Sequence, residues 1–335
     1  LTLLALLFLP LLLLSRQLRR RNRELLTTPN TLSGESLRNI FVALLYALGI
    51  VLPWPLLLYL LGTALAIADP RNGFIDALAP ALQTSAIVLF CLLYVRRLIA
   101  PVGIGRRFLK WNARMLDAVR SELGWAGPVI VACAFVEEFA LGLEVNTSGG
   151  MLGAIATLVQ GATVIIVCLR LMKQDIFDAA SSLALRVAAI ATALCLLPLF
   201  MGLLFASEIY QDALGASLVA VGLIKLGSDI LTRWLLIVRS RIERKNREEL
   251  KALQDDGCEG DAEIDNVVDV ASLSEAHSKL IALVRIIATV VALWLIWSPS
   301  LPMLTQLEEI TLWQTHDSSG AVDSLRAVTL FDLIV

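Results

Sequence analysis

The feature that most limits what this chain can become is a succession of long apolar runs, each near or beyond the ~20 residues a helix needs to cross a bilayer. They lie at residues 1–15, 38–64, 74–95, 125–144, 150–172, 183–206, 213–238 and 279–298, and a further run opens near 328. Lipid offers no partner for a free peptide group, so each run is expected to be an α-helix that satisfies its own backbone. The expected fold class is therefore all-α: a polytopic membrane helix array of about seven complete transmembrane helices, with truncated ones at each end. Composition agrees, with 57% hydrophobic and 17% charged residues, against roughly half and a quarter in soluble domains. Leu1 opens directly on "LTLLALLFLPLLLLS", which has no small-residue cleavage site and reads as part of a spanning helix rather than a signal peptide.

The charges between the runs set the expected orientation. Arg16, Arg19, Arg20, Arg21, Arg23 and Arg38 follow the first run, and Arg96, Arg97, Arg106, Arg107, Lys110, Arg114 and Arg120 follow the third. Lys173 and Arg186 follow the fifth, and a cluster from Arg239 to Lys251 follows the seventh, whereas the alternate loops hold only Arg71 and Arg326. The positive-inside rule then puts the basic loops in the cytoplasm and residue 1 at the outer face. These clusters flank spanning helices and lack interleaved stacking aromatics, so they mark topology rather than nucleic-acid binding.

Two segments stand apart from the spans. In "IGRRFLKWNARMLDAVRSELG" (104–124), Ile104, Phe108, Trp111, Met115 and Val119 recur at helical spacing. That pattern predicts an amphipathic helix on the inner leaflet, with Arg106, Arg107, Lys110 and Arg114 as candidate contacts to lipid headgroups. Residues 239–278 are expected to be a cytoplasmic basic helix followed by a flexible acidic linker, since 252–278 hold eight Asp and Glu and no Lys or Arg. The remaining organisation is membrane helices over 1–238, a transmembrane helix at 279–298, a periplasmic connector at 299–327 and the start of another span at 328–335. Pro53, Pro55 and Pro198 are placed to break spans.

Ionisable groups inside a bilayer are costly, which makes each a functional candidate. Glu137 and Glu138 lie in the fourth run, and Lys225 and Asp229 lie four residues apart in the seventh, where they can pair on one helix face. A secondary transporter would use such groups for proton or cation coupling; a structural protein would use Lys225 and Asp229 to dock the helix. Gly149, Gly153, Thr157 and Gly161 form a small-residue stripe suited to close helix approach. No phosphate-binding glycine loop, nucleophile elbow or metal-ligand pair is present, and the five cysteines have no metal or redox spacing. No enzyme activity and no cofactor are expected.

The last hundred residues combine a basic helix, an acidic segment, a span ending at Trp297 and the stretch "LPMLTQLEEITLWQ". With the order of spans, this resembles the inner-membrane region of large mechanosensitive channels of the small-conductance superfamily, of the potassium-efflux (KefA, or MscK) and MscM type. The matching residues are Leu301, Pro302, Ile310, Thr311, Leu312 and Trp313. The resemblance implies tension-sensing and scaffold helices around a channel that releases ions on hypo-osmotic shock. It further implies a homo-oligomeric ring, heptameric in the family, that contacts membrane lipids in a bacterial inner membrane. Pro299, Pro302 and Trp313 then become candidates for a gating connector.

Overall fold

The computed structural model describes residues 2–27, 37–68, 73–143, 148–174, 176–202, 204–255, 265–299, 311–316 and 325–329. Eleven helices succeed one another among these residues: α1 (Thr2–Thr27), α2 (Leu37–Val51), α3 (Pro53–Ala68), α4 (Gly73–Leu98), α5 (Ile104–Arg107), α6 (Ala113–Gly142), α7 (Ser148–Met172), α8 (Ala179–Cys195), α9 (Leu197–Phe200), α10 (Leu204–Asp255) and α11 (Asp265–Trp297). The architecture is all-α apart from one small antiparallel hairpin, β1 (Thr311–His316) with β2 (Leu325–Thr329), in which Trp313 pairs with Val328. Among the described residues six helices are long and apolar enough to cross a membrane, and α2 with α3 makes a seventh such segment if the bent pair is one broken span rather than a re-entrant loop. The chain is a multi-pass membrane protein.

Prolines shape this array where the sequence places them. Pro53 and Pro55 lack amide hydrogens, and α2 meets α3 at Leu52 with a bend of 50°. Pro198 follows the end of α8, and the chain turns through α9 to Gly202, whose φ of 82° is the left-handed conformation that glycine adopts without a Cβ clash. Pro10, Pro80 and Pro128 lie inside α1, α4 and α6 without ending them.

Helices that are neighbours in the chain are mostly neighbours in space: α3 lies on α4, α4 on α6, α6 on α7 and α7 on α8, while α10 and α11 form an antiparallel pair. Small residues allow these approaches. Ala77, Ala81 and Ser85 are buried along one face of α4, and a Cβ on Gly142 of α6 would lie 2.4 Å from the Ala77 Cα. Gly62 of α3 meets the Ala79 carbonyl in the same way, at 2.7 Å. On α7, Thr157 is buried and a Cβ at Gly161 would meet Leu196 at 2.8 Å, so the small-residue stripe does act as a packing surface. Ile40, Ala43 and Ala47 of α2 form a core cluster with Leu98, Ile104, Phe108 and Leu226.

Two sequence expectations change. The amphipathic helix over 104–124 does not exist as one element: α5 ends at Arg107, Lys110 has a φ of 55°, and Asn112 caps α6 by accepting from the Arg114 amide at 3.0 Å. Residues 113–124 are thus the first turns of the spanning helix α6. Gly105 permits the chain to fold back here, because a Cβ would lie 2.8 Å from the Trp111 ring, and the Trp111 amide donates to the Gly105 carbonyl at 2.9 Å. The described part of the acidic segment is also helical. α10 continues to Asp255 as the expected prolongation of the seventh run, and α11 already begins at Asp265. Residues 256–264 lie outside the described residues. The connector at 299–327 contains β1 and part of β2, and the span expected to open near 328 falls on the end of β2 and on 330–335, which lie outside the described residues.

Replacing Gly142 by Val should force α6 away from α4 and cost about 1–3 kcal/mol of stability. Thermal unfolding in detergent measures it, with Gly124→Ala, whose Cβ meets open space, expected to leave the melting temperature unchanged or slightly raised.

Candidate functional site: the charged ends of the array

Hydrogen bonds and ring contacts between antiparallel helices sort the charged residues onto two ends. At one end Phe74 of α4 packs edge-on against Phe139 of α6 at 5.5 Å, and Tyr210 of α10 stacks with Trp297 of α11 at 6.2 Å. Trp297 also donates to the Ser217 hydroxyl at 3.0 Å. Glu137 and Glu138 lie near this end. Glu137 is 6% exposed, and its Oε1 has no hydrogen-bond partner among the described residues, whereas Glu138 accepts from the Thr84 hydroxyl at 3.1 Å. Adjacent positions diverge by about 100° on a helix, which is why one of the two is buried and the other reaches α4.

Glu208 and Asp212 of α10 lie within electrostatic range of these two glutamates. They fall in the stretch between two expected spans, and the sequence analysis passed over them. Their i, i+4 spacing, with Ser207 and Gln211 beside them, was the available signal. Ser207 donates to the Cys195 carbonyl at 3.0 Å and Gln211 to the Thr157 carbonyl at 3.1 Å, so this polar turn of α10 is anchored to α7 and α8. Among the described residues no three His, Cys, Asp or Glu side chains converge as a cation cage requires.

The opposite end is basic and has cross-links of its own. Trp111, in the break between α5 and α6, donates from Nε1 to Asp229 Oδ2 at 2.8 Å. The same oxygen lies 4.0 Å from Lys225 Nζ, with the lysine side chain 55% exposed. The structure therefore brings Lys225 and Asp229 together and adds Trp111 as the partner that ties α10 to the α5–α6 break. Leu226 and Ile230 pack on the same cluster of α2, α4 and α5 residues. A second tie joins α6 to α7: Glu122 is 6% exposed, accepts from Trp125 Nε1 at 2.7 Å and pairs with Arg170 at 3.7 Å, and the Arg170 guanidinium lies 5.8 Å from the centre of a Trp125 ring. These partners satisfy a buried carboxylate that would otherwise be costly.

The four basic residues expected to touch headgroups divide. Lys110 and Arg114 are exposed, and Arg107, the last residue of α5, is half-buried. Arg106 instead forms an ion pair with Asp117 and donates to the Ala113 carbonyl at 3.3 Å, closing the α5–α6 break from outside. Of the candidate gating connector, Pro299 is exposed just after α11, Trp313 lies in β1, and Pro302 is outside the described residues. The described arrangement is one of structural ties at each end of a lipid-facing array.

Asp229→Leu should leave the Trp111 N–H unpaired and cost about 1–3 kcal/mol. Lys225→Leu, which removes a half-exposed pair, should change stability by less than about 1 kcal/mol. A double-mutant cycle of Trp111→Phe with Asp229→Leu, followed by thermal unfolding in detergent, should show a coupling that the Lys225→Leu and Trp111→Phe cycle lacks.

The sequence model for mechanosensitive ion channel inner membrane domain 1 matches residues 1–313. No curated protein and no solved structure matches the chain. The matching family is one of channel membrane regions rather than of enzymes. The multi-pass helical array just described, with its charged residues gathered at the helix ends, agrees with that match, and the chain belongs to the mechanosensitive ion channel inner membrane domain family.

Proposed function

We propose that this region senses lateral tension and scaffolds a mechanosensitive channel of the potassium-efflux type in a bacterial inner membrane. The observation that supports this most is how little of each span the protein itself covers. Buried residues make up at most 33% of any spanning window and none of the one in α11. Leu183, Val187, Ile190 and Leu194 on α8, and Ile287, Val291 and Trp294 on α11, are typical of the exposed apolar side chains. Lipid is their solvent.

Tension shifts a conformational equilibrium only through a difference between the two states, and that difference is in-plane area. Helices that touch mainly their chain neighbours spread over a wide area and can change it by tilting against one another. A tight bundle of the same length could not. The bend between α2 and α3 and the ties at the basic end supply the hinge and the fixed points of such a movement.

In this reading the basic end faces the cytoplasm, and the apolar half of α1 leads from the periplasmic side. Homologous subunits assemble into a ring, heptameric as the family resemblance implies, with membrane lipids as further partners. Opening releases ions and relieves hypo-osmotic shock. The hairpin and Pro299 then act as the connector toward the pore.

Patch-clamp recording of the full-length protein under suction should show a pressure-activated conductance. Replacing Pro299 and Pro302 with Ala should shift its threshold without affecting membrane insertion. Correct insertion with no pressure-activated conductance in the unsubstituted protein would overturn the proposal, and an unchanged threshold in the variant would remove the connector from it.

A further inference from the structure

We infer that the basic end contains a binding site for one anionic phospholipid, with the phosphate held by arginines from three helices and an acyl chain laid in an adjoining apolar groove. The site is separate from the exposed Lys110 and Arg114. A cavity of about 830 Å³ lies between α1, α4 and α6 and is lined by Arg19, Arg20, Arg23, Arg96, Arg97 and Arg120. Among the described residues Glu24 is the one acidic residue in its lining.

Six guanidinium groups around one space repel each other, and Arg97 lies within electrostatic range of Arg19, Arg23 and Arg120. Arg120 Nη1 is buried without a hydrogen-bond partner among the described residues. Planar guanidinium groups match the oxygens of a phosphate and bind them in pairs, which makes a phosphate the anion that best relieves this repulsion.

The rest of the cavity wall identifies the source of that phosphate. Ile50, Val51 and Trp54, at the α2–α3 bend, and Leu93 of α4 form an apolar floor under the arginines. Leu93 and Arg96 also line a second space of about 540 Å³ between α3, α4 and α6. Leu82, Leu89, Leu92, Val131, Phe135 and Val136 are among its walls, and Ser85 and Arg96 are its only side chains with polar heads. From Arg96 back to Leu82 the groove follows α4 for about 21 Å at 1.5 Å per residue. One leaflet's hydrocarbon is about 15 Å thick, half of the usual core, so the groove has room for an acyl chain. A free phosphate would leave this floor and groove unused.

The inference does not depend on tension sensing, and binding can be measured without applying any. Native mass spectrometry of the purified full-length protein in detergent, titrated with phosphatidylglycerol or phosphatidylcholine, should show tighter binding of the anionic lipid. Each arginine near the headgroup is worth about fivefold, so R97Q/R120Q should weaken phosphatidylglycerol binding on the order of 20-fold and leave phosphatidylcholine unchanged. R97K/R120K should retain part of the preference. R19Q/R20Q, on the exposed face of α1, gives the same test where the half-buried pair does not fold, with a similar loss expected. Equal binding of the two lipids by the unsubstituted protein would overturn the inference, as would an undiminished preference in the folded Gln variants. Displacement of the lipid by an equal concentration of inorganic phosphate would overturn the lipid assignment in favour of a free-anion site.

Discussion

Close approach of small residues is the interaction on which the rest of this structure depends. Between helices in lipid there is no hydrophobic drive, because the surrounding tails are as apolar as the side chains. Association therefore rests on surfaces that fit: Gly142 on Ala77, Gly62 on the Ala79 carbonyl and Gly161 on Leu196. Each joins one helix to the next or next but one along the chain, and the result is a spread array. Larger residues at these points would hold the helices apart, and the polar ties at the ends would then be out of reach.

Those ties use a second property of the environment. Near the ends of the spans a charge is close enough to headgroups and water to be tolerated, yet still dry enough for a hydrogen bond to hold its geometry. The Trp111 indole N–H ties the α5–α6 break to α10 through Asp229, and the Trp125 indole N–H holds Glu122 of its own helix for the pair with Arg170 on α7. Tryptophan suits this role because its apolar body belongs in the membrane and its one donor belongs at the edge. The basic end is fixed by charged pairs and indole donors, while the opposite end combines neutral donors such as Gln211 and Ser207 on main-chain carbonyls with ring contacts such as Phe74 on Phe139.

The spans were legible in the sequence because apolar length is a direct physical requirement for crossing lipid, and Pro53, Pro55 and Pro198 announced the breaks. The α5–α6 break was not. Ile104, Phe108, Trp111 and Met115 fit one helical stripe, but the fold-back of Trp111 onto Gly105 and its long-range bond to Asp229 replace that periodicity. Charge alone did not show that the helix of the last span begins as early as Asp265, inside the segment expected as an acidic linker. Glu208 and Asp212 were passed over because the expected span began after them. Pairing Asp229 with Trp111 could not be found from either residue, since 118 positions separate them.

The basic end has a consequence for how force would pass through the array. Arg19, Arg20 and Arg23 stand on α1, Arg96 and Arg97 on α4 and Arg120 on α6, so one cavity gathers the charged ends of three helices that are apart in the chain. Its floor is the α2–α3 bend. An anion seated there would hold the three helices against their mutual repulsion, and its acyl chain would lie along the seam between α4 and α6. Widening that seam would strip the chain of its protein contacts, while closing it would compress the arginines on the phosphate. Lipid occupancy and helix spacing would then be linked, each biasing the other to the same extent. On the proposed function, such a lipid is part of what the membrane pulls on.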